Sequence, residues 1–551
     1  MDNMNLGNLS KATGLSVIFS SLTVMSFAQG TSEAPITANS LVILLFSCVM
    51  VLVVFLAAVM GDKIIKLTAG KVRKNSDDKE FGLIPSLKEM ILGNESSQSQ
   101  AKKKITKLRR GFDIKLNGKA KKSISTYSSA TYAIKPKDFY GLKPIPKMLV
   151  KEGAQVKAGD KIFYDKGFDG VFFTSPISGE VSEIRRGSKR AITEIVIKAD
   201  GKNDSVKFKA ASPSSLGEEG VRTQLKESGA WTAFVERPFG VVANPSVRPK
   251  SIHISASDTA PLAVDYAYVL AQLNAKDLQT GIDALNELTD QVHLNLDAKS
   301  SKSNLIDQLI GAQVNAFIGA HPAGNVGVQI HHTNAISKGD VVWTIKVEDV
   351  ATIGKLFNEG VYAPNKIVAL AGSIVKNPQY IKTLAGVNLA NLLDGQIEDD
   401  NSRVVSGNVL CGTQIAKDGF LGAHDNLVSV LEEGDHQEMF GWMVPQYARP
   451  SLSPTFPWKG MELATFDANT NTHGEGRAFV VTGQYEEVLP MDIYPQHLMK
   501  SIITNDFEGM EGLGIYELLE EDVALCEFAC TSKQPLQNIL REGLDYIRSQ
   551  N

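Results

Sequence analysis

The sequence predicts a multidomain α/β protein held behind an N-terminal transmembrane helix. Three observations carry that expectation. They are a twenty-residue uncharged run near the N-terminus, a glycine-punctuated series of short strands from Ile105, and a β–α–β alternation from Ser251 onward. With 551 residues the chain is too long for one compact core, so three or four folding units are expected. A hydrophobic share of 43% and a charged share of 21% exclude a disordered or collagen-like chain. The 57 basic and 61 acidic side chains leave a net charge of −4, which argues against non-specific nucleic-acid binding. Mean hydropathy near zero excludes a polytopic transporter. The cysteines Cys48, Cys411, Cys526 and Cys530 are too few for a disulfide scaffold.

Leu41–Met60, LVILLFSCVMVLVVFLAAVM, carries no charge. At about 1.5 Å per residue, a helix of that length crosses the roughly 30 Å hydrocarbon core. Lys63, Lys66, Lys71, Arg73 and Lys74 follow it, while Lys and Arg are missing between Gln29 and Ser40. The positive-inside rule then places everything after Met60 in the cytoplasm, behind a single-pass anchor. Ser16–Ala28 is a shorter apolar run behind Lys11, ending in Ser26-Phe27-Ala28. Residues 1–28 therefore read as a signal-peptide-like segment, with a first membrane helix as the alternative. Both readings leave the body cytoplasmic. Residues 61–103 read as a linker whose basic start suits anionic headgroups.

Residues 104–210 form the first unit of the body. Met148–Ile184 runs V-K-E-G-A-Q-V-K-A-G-D-K-I, then a hairpin, then S-P-I-S-G-E-V-S-E-I. Gly153 and Gly159 fit turn positions of positive φ, and Pro176 and Gly179 close the return turn. Alternate apolar residues between them face the inside of a small flattened barrel. The pattern resembles the barrel-sandwich of biotinyl and lipoyl carrier domains. Those carriers present a modified lysine at the hairpin tip, and Lys166 lies nearby. It sits in neither Met-Lys-Met nor Asp-Lys-Ala and is offset from the tip at Phe168-Asp169, so the barrel is read as structural.

Residues 211–365 alternate strand and helix. Ser251–Ser255 and Gln291–Leu296 read as strands, and Leu262–Leu273 and Leu278–Leu288 as helices. A helix around Leu305–Leu309 precedes the strand Val314–Gly319. This rhythm implies a Rossmann-like, doubly wound, mostly parallel sheet. Neither G-x-G-x-x-G nor G-x-x-x-x-G-K-[ST] accompanies it, so the dinucleotide and P-loop signatures are missing. The nearest substitute, the loop from Gly319 to Gly327, follows a strand and is a candidate lining for a ligand cleft. His321, His331 and His332 are near in sequence but fit no zinc spacing. Read as a strand, the adjacent pair would point to opposite faces. G-x-S-x-G and H-E-x-x-H are also missing, so hydrolase chemistry has no foothold.

Residues 366–415 read as a β-grasp-like unit: strand Ile367–Ala371, helical stretches Gln379–Thr383 and Leu389–Leu393, and strand Arg403–Asn408. Residues 416–551 turn aromatic and irregular from Glu432. They close on a helix after Pro535, with Leu536, Ile539, Leu540, Leu544 and Ile547 at helical spacing.

Several blocks together resemble the A subunits of the sodium-translocating NADH:quinone oxidoreductases. They are Leu108–Ile114 (LRRGFDI), the barrel-sandwich run, Phe317–Gly324 (FIGAHPAG), Asp349–Phe357 (DVATIGKLF), Val368–Gly372 (VALAG) and Leu519–Cys526 (LEEDVALC). The resemblance spans residues 105–551. It implies a barrel-sandwich, a Rossmann-like domain, a β-grasp-like SLBB domain and a C-terminal helical region. It also implies a subunit without a redox centre of its own, in a complex that oxidises NADH, reduces ubiquinone and moves Na⁺ outward. Flavins and iron centres are expected in partner subunits. The membrane quinone-side subunit is the chief expected partner, with a share in a quinone pocket whose residues are unknown. Catalytic, cofactor and metal residues are expected to be none.

A related soluble iron–sulfur protein carries two C-x-x-C-x-x-C-x-x-x-C runs. Here only Cys526 and Cys530 stand in that region, and two thiolates cannot complete a four-ligand cluster. The first hundred residues depart from the family, which ordinarily starts near the equivalent of Ile105. Two readings from other classes compete: a carrier modified at Lys166, discriminated by intact mass, and a free-standing NADH-binding dehydrogenase, discriminated by NADH titration.

Overall fold

The computed structural model describes residues 104–550, except 168–169, 399–400, 438, 441–449 and 453–464, together with Val49, Met50 and Val53. The expectations for residues 1–28, Leu41–Met60 and 61–103 lie outside the described residues, save those last three, which are helical. Among the described residues no helix is long and apolar enough to cross a membrane. The chain separates into two compact units, residues 1–99 and Gln100–Asn551, and the second is described below.

The barrel-sandwich forms from strands β3 (Thr131–Ile134), β4 (Lys147–Met148), β5 (Gln155–Val156), β6 (Lys161–Tyr164), β7 (Phe172–Thr174), β8 (Gly179–Arg186) and β9 (Ile192–Ala199). They pair as β3-β9-β8-β5 against β4-β6-β7. Ile162, Val181, Ile195 and Ile197 are buried in its core, and Phe163 stacks on Phe173 at 4.5 Å. Gly153 and Gly159 take φ of 82° and 89°, the turn geometry their spacing implied. The first two strands leave this unit. β1 (Lys104–Lys107) runs parallel to a strand of the central sheet, and β2 (Lys121–Thr126) joins the SLBB sheet.

Helix α1 (Pro213–Ser228) leads into the central α/β layer. Its strands are β10 (Val235–Arg237), β11 (Val241–Val242), β12 (Ser251–Ala256), β13 (Val292–Asp297), β14 (Gln313–Ile318) and β15 (Val342–Lys346). With β1 they give the order β1-β14-β13-β12-β15-β10-β11. The interleaved helices are α2 (Tyr266–Leu270), α3 (Ala275–Leu288), α4 (Asn304–Asp307), α5 (Val326–Asn334) and α6 (Val347–Glu359). The helix expected over Leu262–Leu273 shrinks to α2, because Leu262 takes φ of 62° and the Asp265 carboxylate caps the amides of Ala267 and Tyr268. That expected around Leu305–Leu309 is only the short α4. α3 and α6 cross at glycines: a Cβ on Gly281 would lie 2.1 Å from the Val350 carbonyl, and one on Gly354 1.7 Å from that of Asp277.

The SLBB sheet comprises β16 (Asn365–Ala371), β17 (Gln379–Leu384), β18 (Ser402–Ser406), β19 (Thr413–Ile415) and β20 (Leu427–Glu432), with β2 at its edge and helix α7 (Ala390–Leu393) beside it. Gln379–Thr383 is strand, which corrects the expected helix. Tyr380, Ile381 and Thr383 favour an extended backbone, and β16 offers a full antiparallel ladder, Val368 opposite Ile381. The C-terminal region packs α8 (Gln484–Val488), α9 (Pro495–Ile503), α10 (Phe507–Gly512), α11 (Glu520–Ala529) and α12 (Leu536–Gln550). α12 begins just after Pro535 and buries Leu536, Leu540, Leu544 and Ile547 on one stripe.

Candidate functional site

The central sheet reverses its winding at β12. One neighbour, β13, follows it in the chain; the other, β15, returns after β14 on the far side. Ligands of open α/β sheets bind outside the carboxyl ends of the strands at such a switch point. A cleft of about 560 Å³ opens there, lined by Ser257 and Asp258 beyond β12, Lys346 at the end of β15 and the expected loop at His321, Gly324 and Asn325. The Asn408–Gly412 turn of the SLBB domain, Glu520 and Glu521 of α11, and Arg541 of α12 complete it.

The loop is built for close packing. The amide of His321 donates to Asp113 Oδ1 at 2.8 Å and that of Gly324 to Thr259 Oγ1 at 2.9 Å. Those of Ala323 and Asn325 donate to the carbonyls of Ala320 and Pro322. With Pro322 lacking an N–H, each amide from His321 to Asn325 is already committed, so that stretch of the loop has none to cradle a phosphate. A Cβ on Gly324 would lie 2.4 Å from the Thr259 nitrogen, and one on Gly327 2.2 Å from Asp522 Oδ2. His321 is 3% exposed, and burial pulls its imidazole down to about 4, so it is neutral near pH 7. Its Nδ1 lies 3.2 Å from Thr259 Oγ1.

The cations of the cleft are also engaged. Lys346 Nζ donates to the His424 carbonyl at 2.6 Å. Arg541 grips Glu520 with two bonds of 2.5 and 2.8 Å, and its guanidinium lies 4.5 Å from the Tyr140 ring. Arg237, 1% exposed, bridges Asp522 at 3.0 Å and Glu521 at 2.5 Å. Burial, and then the adjacent Asp522 carboxylate, push the Glu521 carboxyl above the ordinary range against the pull of Arg237. Asn325 Nδ2 donates to the Glu521 carbonyl at 2.8 Å. The cleft wall is thus a seam fastening α11 to the central sheet. Sequence reasoning found the loop but missed Arg237, Glu521 and Asp522, because partners 284 and 285 residues apart leave no local pattern.

The remaining candidates fall elsewhere. Lys166 is exposed in the β6–β7 turn; beneath it Asp165 accepts the amides of Lys143 and Gly167 at 2.5 and 2.6 Å, while Phe168 and Asp169 lie outside the described residues. His331 and His332 sit in helix α5, which corrects the expected strand. The alternation of Val328 and Ile330 suits both periods over so short a run, and the preceding loop sets the helix start. His331 binds Glu517 at 2.7 Å and the Asp492 amide at 3.1 Å, and His332 donates to the Pro490 carbonyl at 2.8 Å. Both imidazoles therefore pin α5 to the C-terminal region. Cys526 and Cys530 are buried on and after α11 beside Tyr485, whose hydroxyl donates to Cys530 Sγ at 2.9 Å. Burial drives the Cys526 thiol upward, away from the thiolate a metal needs. Cys411 is exposed at the cleft. Among the described residues no three His, Cys, Asp or Glu side chains gather as a metal site.

Comparison with known proteins places this architecture. Residues 106–200 match the "NqrA N-terminal barrel-sandwich hybrid domain", 216–362 the "NqrA second alpha/beta domain" and 367–417 the "NQRA C-terminal domain" of SLBB type. The chain is 37% identical over 449 residues to the A subunit of the "Na(+)-translocating NADH-quinone reductase" of Haemophilus influenzae strain PittEE, covering 80% of this chain and 99% of that one. It is 36% identical over 454 residues to the protein of that name from Yersinia pseudotuberculosis serotype O:1b, covering 81% and 100%. Those relatives have almost no residues beyond the aligned stretch, so whole proteins of about the body's length occur among them. An NAD⁺-reducing [NiFe]-hydrogenase structure aligns at a TM-score of 0.30 and 12% identity over 61% of each chain, too loosely to bear on the fold. The chain belongs to the NqrA family, the A subunits of the Na⁺-translocating NADH-quinone reductases.

Proposed function

We propose that this chain is the A subunit of a respiratory translocase that couples NADH oxidation and ubiquinone reduction to outward Na⁺ movement. The observation that supports it is the match of three consecutive domains and of 99% of a relative bearing that name. In this reading the chain carries no flavin, iron or metal. It docks on the quinone-side subunit of the membrane and shares in binding ubiquinone. The other subunits and membrane lipid are its partners; nucleic acid is not. The committed amides from His321 to Asn325 and the engaged cations of the cleft favour a scaffold over a self-sufficient dehydrogenase.

The units proposed are 104–210, 211–365, 366–415 and 416–551, with β1 and β2 lent to the neighbouring sheets. Leu41–Met60 is proposed as a single-pass anchor in the bacterial inner membrane with the body on the cytoplasmic side, preceded by a signal-like segment and followed by a linker. The test is affinity purification of the native complex through a tag on this chain. Expected are co-purifying membrane subunits and Na⁺-stimulated NADH:ubiquinone activity. A chain that purifies alone, from membranes that keep this activity when its gene is deleted, would overturn the reading.

A further inference from the structure

The barrel-sandwich bears an outward stripe that neither its core nor the cleft uses. Along Lys143–Lys151, KPIPKMLVK, the side chains of Lys143, Pro144, Ile145, Lys147, Leu149 and Lys151 are exposed, while Pro146 is buried and Met148 and Val150 are half-buried. The two-residue edge strand β4 holds the middle of this segment, turning Lys147 outward and Met148 toward the barrel. Ile145 is 56% exposed and Leu149 46%, each set between lysines. The β8–β9 turn lies beside the stripe, because the Ile192 amide donates to the Pro144 carbonyl at 3.1 Å. That turn, Arg186-Gly187-Ser188-Lys189-Arg190, exposes three further cations.

The acids nearby are otherwise engaged. Glu183 and Glu194 hold Arg185 at 2.9 and 2.8 Å, Glu152 accepts the Ile184 amide at 2.8 Å, and Asp165 is turned inward. Among the described residues none of the six cations forms an ion pair with an acid. Six exposed cations and two exposed apolar side chains thus lie along this segment and the turn beside it.

We propose that this stripe and turn form a membrane contact that recognises anionic phospholipid headgroups. It rests on the proposed function only in setting the chain beside a bilayer. Each Lys or Arg near an anionic leaflet strengthens binding about fivefold, and Ile145 and Leu149 can enter the headgroup boundary between them. A protein partner fits the stripe less well. Lysine is depleted at interface centres, and the stripe lacks the aromatic anchors that dominate such contacts. The contact would supply the second signal that makes attachment by one hydrophobic element durable.

The test uses the body, Ala101–Asn551, sedimented with phosphatidylcholine vesicles or with vesicles containing about one-third phosphatidylglycerol. Expected is binding to the anionic vesicles alone, lost in high salt. The triple reversal Lys143→Glu, Lys147→Glu and Lys189→Glu should weaken binding by at least about a hundredfold. The reversal of Lys276, Lys299 and Lys382 to Glu, equal in net charge, should cost far less. Ile145→Ser with Leu149→Ser should weaken binding severalfold and leave its salt dependence intact. Equal losses in the two triple variants, or no binding to anionic vesicles, would overturn the proposal. So would a stripe variant that binds vesicles normally but fails to join its partner subunits in detergent, which would assign the face to a protein. Because vesicle binding is read without NADH or quinone, its failure and that of the proposed activity are separately visible.

Discussion

Arg237 is a residue on which three separate elements converge. It stands at the end of β10, yet its guanidinium reaches two carboxylates of α11 beneath the first turn of α5, where Gly327 leaves room. Removing one member of a buried pair costs far more than the pair contributes, because the other charge is stranded. Asp522 is 0% exposed, so Arg237→Ala should cost about 3–5 kcal/mol, read as a lower urea midpoint. Glu521 behaves differently. Its carboxyl is held above the ordinary 4.5, so above that pH the folded state keeps a proton the unfolded chain has released. Stability should therefore fall as pH rises from about 4.5 through the raised value and level off beyond it. Glu521→Gln, which retains an acceptor for Arg237, should flatten that part of the curve. An unchanged slope between pH 5 and pH 8 in urea titrations would refute the assignment. Neither partner was legible in the sequence, where Leu519–Cys526 stands only as one of the family blocks.

At the scale of elements, the α3–α6 crossing shows how little side-chain volume the fold tolerates. The atoms facing Gly281 and Gly354 are main-chain carbonyls, which cannot rotate aside as a side chain would. Gly354→Ala should force the helices apart and cost at least about 1–3 kcal/mol, the usual range for overpacking. Gly512→Ala at the end of α10 meets no atom within 4 Å and should be neutral or slightly stabilising. Thermal unfolding of both variants checks the pair, and similar melting temperatures would contradict it. The sequence shows α3 by its periodicity but is silent on the crossing, because glycine carries no hydrophobic signal. The same limit explains Gln379–Leu384, whose mixed pattern reads as helix until β16 and β2 supply ladders on both sides.

For the whole molecule, the body is knit by strands far apart in the chain. β1 opens the body and lies parallel to β14, and β2 pairs with β17, so residues before the barrel-sandwich close two other sheets. Leu41–Met60 holds no ionisable side chain except Cys48, and Ser47 alone cannot coordinate Na⁺. A chain beginning at Ala101 should therefore join its partner subunits through body contacts and keep Na⁺-stimulated NADH:quinone activity. Tethering should affect only how readily it assembles. Na⁺ uptake and quinone reduction in vesicles at matched complex levels check this. Normal quinone reduction with lost Na⁺ movement would make the segment part of the pump.

Some of this was written locally. The turn glycines 153 and 159, the β–α–β rhythm and the apolar stripe of α12 follow from backbone permissiveness and side-chain period, and the family blocks were recognisable in order along the chain. The tertiary structure alone decided what joins across distance: the sheets that take β1 and β2, the Arg237 seam and the burial of Cys526 and Cys530 beside Tyr485. It also showed that the amides from His321 to Asn325 are used on the protein itself. The reason is physical. Period, capping and turn chemistry act over a few residues, whereas ion pairs, strand ladders and helix crossings depend on atoms brought together only when the chain folds.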